Sequence, residues 1–98
     1  MKRRVVLSPD ALRQLRRLRA VDRSLLRDAM EIHLEKADAS QPTRRRFRLR
    51  RPASAADFEL RVRDWRVFYR VEGREVRVVL IGRKRGNVLR VDGQRFTL

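Results

Sequence analysis

At 98 residues and with no cysteine, the chain suffices for one small domain, residues 1–98, whose core stands without a disulfide framework or a thiolate metal site. Its 27 lysines and arginines against 12 acids leave a net charge of +15, with only Lys2, Lys36 and Lys84 present as lysine. Such a surface attracts polyanions, nucleic acid first, or an acidic protein partner. No run approaches the roughly 18 apolar residues of a membrane span, and Val5-Val6-Leu7 behind Lys2-Arg3-Arg4 is too short for a signal peptide. A reducing, cytoplasmic setting without membrane contact is expected.

Arg3 to Leu7 is a short β-branched run and predicts a strand. Ser8-Pro9-Asp10 then supplies a cap, a first-turn proline and an acid at the positive helix end. Ala11, Leu12, Leu15 and Leu18 fall at helical spacing, predicting an amphipathic helix to about Arg19. A second helix, capped by Asp22 or Ser24, carries Leu25, Leu26, Ala29, Met30, Ile32 and His33 on its apolar side and ends between Lys36 and Ala39. The short link makes the pair an antiparallel hairpin. His33, the only histidine, reads as a packed or half-exposed helix residue rather than a catalytic one.

Ser40 to Thr43 breaks the helix, and the densest basic run follows, Arg44 to Arg51. Phe47 and Leu49 alternate with Arg46, Arg48 and Arg50, predicting a strand with apolar residues inward and guanidiniums on the rim of an anion-binding surface. Pro52 to Asp57 reads as a small-residue loop.

From Phe58 to Lys84 the letters predict two hairpins sharing a strand. An Arg63-Asp64 turn pairs Val62 with Trp65, Arg61 with Arg66, Leu60 with Val67, Glu59 with Phe68 and Phe58 with Tyr69. A Glu72-Gly73 turn would pair Tyr69 with Val76, Val67 with Val78 and Trp65 with Leu80. One face is then apolar. The other carries Glu59, Arg61, Arg66, Phe68, Arg70, Glu75, Arg77, Val79 and Ile81. Gly82-Arg83-Lys84-Arg85-Gly86-Asn87 reads as a basic loop, and Asp92-Gly93 as a hairpin turn placing Leu89 opposite Phe96 and Arg90 opposite Arg95. The order β, α, α, then strands is that of an α+β domain with its helices on one face of a mainly antiparallel sheet.

These residues exclude most catalytic chemistry. A cysteine nucleophile is impossible, and no carboxylate–histidine cluster has metal-ligand spacing, so neither metal nor cofactor is expected. Arginines placed round a phosphate remain. Arg61 and Arg66, opposite each other, repel unless Glu59 or an anion lies between them. Metal-free RNA cleavage needs little beyond such cations, because the substrate's own 2′-hydroxyl attacks. Glu59 is the candidate base, and Phe68 on the polar face a candidate platform for a base.

The N-terminal SPDALRQLRRL helix, the hairpin LRVRDWRVFYRV, the strand after it and the IGRK segment resemble the RelE/ParE superfamily of bacterial type II toxins. The resemblance covers most of the chain and implies two helices on one face of a twisted sheet, with the opposite concave face acting on the target. It implies a small acidic antitoxin as partner and contact with operator DNA only through that antitoxin. The RelE branch enters the ribosome and cuts mRNA without metal. By resemblance its aromatic-Arg arginine falls on Arg66, and its basic residues after the glycine on Arg83 and Lys84. The catalytic set is then Arg61, Arg66, Lys84 and Glu59, with Arg46, Arg48, Phe68, Arg83, Arg85 and Arg90 on the RNA. Where that branch has two lysines before the first turn, this chain has Asp57 and Glu59. In place of its C-terminal tyrosine-bearing helix stands the NVLRVDGQRFTL hairpin, with Arg90 near the equivalent place. The ParE branch uses the same fold against DNA gyrase and needs no catalytic arginines. Gyrase inhibition is therefore the alternative to mRNA cleavage, beside a catalytically silent basic module that keeps the fold for protein or RNA binding.

Overall fold

The computed structural model describes residues 2–53 and 55–97. Strand β1 (Arg4–Leu7) leads into helix α1 (Pro9–Arg16) and helix α2 (Ala20–Met30), which continues as a wider π-helical segment over Glu31–Lys36. Six strands follow: β2 (Arg46–Ala53), β3 (Ala56–Val62), β4 (Trp65–Glu72), β5 (Glu75–Arg85), β6 (Val88–Val91) and β7 (Gln94–Arg95). They form one antiparallel sheet in chain order, while β1 pairs in parallel with the first half of β5.

Ser8 caps α1 as expected, its Oγ accepting the Ala11 N–H at 3.1 Å. The helix stops at Arg16, short of Arg19, because Arg19 is extended and stands at the N-cap of α2. Neither Asp22 nor Ser24 caps that helix. Asp22 sits in its first turn, where a carboxylate suits the positive helix end. Ala11 and Leu15 of α1, and Leu26, Ala29, Met30 and Leu34 beyond it, pack on Phe58, Leu60, Val62, Trp65, Val67 and Tyr69 in the main core. Tyr69 is the pivot of that core. Its ring stacks on Phe58 at 5.3 Å between centroids, and its buried hydroxyl donates to the Ala39 carbonyl at 2.8 Å, tying the end of the helical segment to the sheet.

The β3–β4 register matches the sequence expectation at every pair from Val62–Trp65 to Phe58–Tyr69. The next hairpin does not turn at Glu72-Gly73. Gly73 takes the first central position with φ +58°, so the turn is Gly73-Arg74 and Tyr69 lies opposite Val78 instead of Val76. That two-residue shift keeps parity, and Val76 and Val78 stay inward. A bulge at Val79 then does reverse parity, because Tyr69 pairs with Val78 while Phe68 pairs with Leu80. Beyond it Ile81 enters the main core, where Leu80 was expected. Leu80 turns to the opposite face, in a second cluster with Phe68, Leu89 and Val91, joined by Leu49 and Phe96.

Two expected loops are strands. The stretch read as a loop at Pro52–Asp57 is the β2–β3 connection, with Ala53 paired to Ala56 and Ala55 at φ +64°; Ser54 lies outside the described residues. The basic loop at Gly82–Asn87 is the end of β5 and a Gly86-Asn87 turn, since Arg83, Lys84 and Arg85 pair with Arg90, Leu89 and Val88. The Asp92-Gly93 hairpin forms as expected, with Arg90 opposite Arg95 and positive φ at both turn residues. No helix among the described residues is long and apolar enough to cross a membrane.

Candidate nucleic-acid interface

The end of β5 is positioned by α1. One edge of β5 is covered by β1 over Glu75–Val78 and by β6 over Arg83–Arg85, which leaves a gap at the bulge. Ser8, at the start of α1, and Gln14, within that helix, close it. Ser8 donates its backbone N–H to Val78 O at 2.8 Å and its hydroxyl to Val79 O at 3.1 Å, while Gln14 Oε1 accepts the buried Ile81 N–H at 2.7 Å. Every buried backbone polar group needs such a partner. Gln14 escaped the sequence reading, although it lies at helical spacing between Ala11 and Leu18, where an amide among apolar residues signals a buried acceptor.

Gly82 follows, and here the lack of a side chain is required. A Cβ would stand 2.9 Å from Leu89 Cδ1 and 3.0 Å from the Arg90 carbonyl, so β6 approaches only a glycine this closely. From this point alternate residues of β5 point to opposite faces: Lys84 to the face away from the helices, Arg83 and Arg85 to the helix side.

The outer face gathers Glu59, Arg61, Arg66 and Lys84. Arg61 and Arg66 are opposite each other and Arg66 is opposite Gly82, two residues before Lys84. Glu59 is nearly buried, and its Oε1 accepts from Arg61 Nε at 2.7 Å. The Arg61 guanidinium also lies 3.9 Å from the Phe47 ring centroid. Arg66 Nη1 donates to the carbonyls of Arg63 at 2.7 Å and Trp65 at 2.9 Å, but its Nε is buried with no partner. Burial pulls the Arg66 guanidinium below the ordinary arginine value; Glu59 pulls the other way, and Arg61 adds to the depression. Toward the β3–β4 turn, Arg44, Arg45, Arg61 and Arg63 line an open hollow of about 340 Å³.

Several residues expected here are elsewhere. Phe68 is on this face but fully buried in the second cluster, so it offers no stacking surface. Arg46 and Arg48 pair with Leu60 and Phe58, which puts them on the helix side and Phe47 and Leu49 on the outer side, the reverse of the expected strand. Arg46 is buried, with Nε on the Gln41 carbonyl at 2.9 Å and Nη1 on the His33 carbonyl at 3.1 Å, and it closes the end of the helical segment. Arg48 lies 5.3 Å from the Phe58 ring centroid. His33 is half-buried, and burial together with Arg45 and Arg46 holds its imidazole below the ordinary histidine value.

Arg83, Arg85 and Arg90 also leave the outer face. They meet Arg17, Leu18 and Trp65 at a cleft of about 340 Å³ beside the C-terminal end of α1. Arg83 stacks over Trp65 at 5.0 Å and its Nε reaches Asp64 Oδ2 at 3.3 Å. No group of His, Cys, Asp or Glu among the described residues has the makings of a metal site.

No family model matches the chain, and no curated protein matches it. Among solved structures, a chain of the RelBE2 toxin–antitoxin complex from Mycobacterium tuberculosis is similar over 86% of this chain and 100% of its own length, with a TM-score of 0.63 and 21% identity. A likeness at that identity speaks to architecture: two helices on one face of a mainly antiparallel sheet, with a parallel first strand, is here a RelE-like fold.

Proposed function

We propose that the protein is the toxin of a type II toxin–antitoxin system and cuts mRNA on the ribosome without a metal ion. The carrying observation is the outer face, where Arg61 and Arg66 oppose each other across two strands with Glu59 beside them and Arg66 Nε left without an acceptor. Like charges directly opposite are destabilising; Glu59, 2.7 Å from Arg61, offsets part of the repulsion, and a phosphate removes the rest. In this reading Arg61 and Arg66 hold the non-bridging oxygens. Glu59, its Oε1 engaged by Arg61, accepts the 2′-hydroxyl proton on Oε2 as that oxygen attacks phosphorus. Lys84 returns a proton to the departing 5′-oxygen, leaving a cyclic phosphate and a 5′-hydroxyl.

The net charge of +15 suits an acidic antitoxin that neutralises the toxin in the cytoplasm, and the similar solved structure is itself from a toxin–antitoxin complex. Burial of Phe68 favours a second reading, inhibition of DNA gyrase, because it takes the expected stacking platform off the outer face. Induced expression separates the two. Codon-positioned mRNA cuts with arrested translation support cleavage, and a DNA-damage response with trapped gyrase complexes supports the second reading. Arg66→Ala is expected to lower cleavage by about 100- to 1,000-fold, the loss typical of removing one donor from a developing oxyanion. Full cleavage by a folded Arg66→Ala protein refutes the phosphate clamp.

A further inference from the structure

The helix-side cleft at the end of β5 has a composition unlike the outer face. Its apolar lining is Leu18, Ile81 and the edge of the buried Trp65 beneath Arg83, and its cations are Arg17, Arg83, Arg85 and Arg90. Asp64 engages Arg83 at 3.3 Å, and Asp92 stands 3.6 Å from both Arg13 and Arg17. No acidic side chain among the described residues pairs with Arg85 or Arg90. An apolar floor under forked cations at this volume suits a ligand with one flat apolar part and one anionic part.

We propose that this cleft binds one nucleotide of a single-stranded RNA, its base on the outer side of the Arg83 guanidinium that covers the buried Trp65 ring, and its phosphate between Arg85 and Arg90. A π-face is accommodated by an aromatic ring and by a guanidinium plane, and phosphate matches the guanidinium fork. Continuity along β5 favours RNA over an acidic peptide. Arg83 and Arg85 flank Lys84 but face the opposite way, so basic side chains stand on both faces at the end of the sheet, with Asp64 on Arg83 the acid between them. A strand leaving the Arg61–Arg66 face past the Arg63-Asp64 turn arrives at the cleft, where Lys84 N donates to Asp64 O at 2.7 Å and fixes that end. The route rests on the RNA-cleavage reading; occupancy of the cleft by a nucleotide does not.

Trp65 is the sole tryptophan, so its fluorescence reports on the cleft. Titration of the full chain with AMP, without ribosomes, is expected to give a saturable change, with half-saturation at least tenfold lower than for inorganic phosphate. Arg85→Gln and Arg90→Gln, both exposed positions, are each expected to weaken AMP about tenfold with circular dichroism unchanged, and Arg66→Ala is expected to leave it as it was. The proposal is overturned by an absent change, by phosphate matching AMP, or by variants that bind AMP normally. It is also overturned if a glutamate–leucine peptide saturates the cleft and AMP does not displace it. A protein that binds AMP in this way yet cuts no mRNA refutes only the nuclease reading.

Discussion

Gln14→Leu isolates the contact that holds the working end of β5. Leucine has a similar volume and a comparable helix propensity, so the loss is one acceptor. In the native chain Oε1 accepts the Ile81 N–H at 2.7 Å in a buried setting where neither β1 nor β6 reaches. Removing it strands a buried donor, which costs about 1–3 kcal/mol. A domain of this size loses about 4–8 °C of Tm per kcal/mol, so a mid-range loss of about 2 kcal/mol lowers Tm by about 8–16 °C. Thermal melts by circular dichroism read the stability, and amide hydrogen exchange reads the Ile81 N–H itself. Exchange at Ile81 should accelerate more than exchange at Val67, deep in the main core. A Tm within about 3 °C of the native value, with Ile81 protected as before, refutes the plug and leaves the bulge held by the sheet alone.

Phe68→Ala should cost about 3–5 kcal/mol, as emptying a buried aromatic site does; a urea midpoint unchanged from the native protein would mean that the second cluster is no core. Gly82→Ala drives a Cβ to 2.9 Å from Leu89 Cδ1 and 3.0 Å from the Arg90 carbonyl. It should cost about 1–3 kcal/mol and raise exchange across β6, and normal protection there would refute the close approach. Burial raises the Tyr69 phenol above its ordinary value, so its contribution is complete below the unfolded value near 10 and is lost as pH climbs beyond it. Tyr69→Phe should lose about 1–2 kcal/mol at neutral pH by stranding the Ala39 carbonyl, yet show a shallower fall in Tm above pH 10. Parallel pH profiles for the two proteins would refute that assignment.

Where polar letters mark a face, the amino-acid sequence alone determined the structure. The β3–β4 register follows pair by pair because a slip would bury arginines, and Ser8-Pro9-Asp10 and Asp92-Gly93 act through local backbone chemistry that needs no neighbours. The same alternation put Glu59, Arg61 and Arg66 on one face. Val78-Val79-Leu80-Ile81 has no polar marker, so either parity buries apolar surface, and only packing against α1 and β6 selects the bulge. That choice moves Leu80 away from the main core, buries Phe68, and sends Arg83 and Arg85 to the helix side and Lys84 to the outer face. Arg46 misled for a related reason: an arginine's charge predicts solvent, but the carbonyls of His33 and Gln41 that accept from it come from distant chain. Local rules set which residues can share a face. Tertiary contacts decided which face the end of β5 presents, because a single inserted residue reverses every side chain after it.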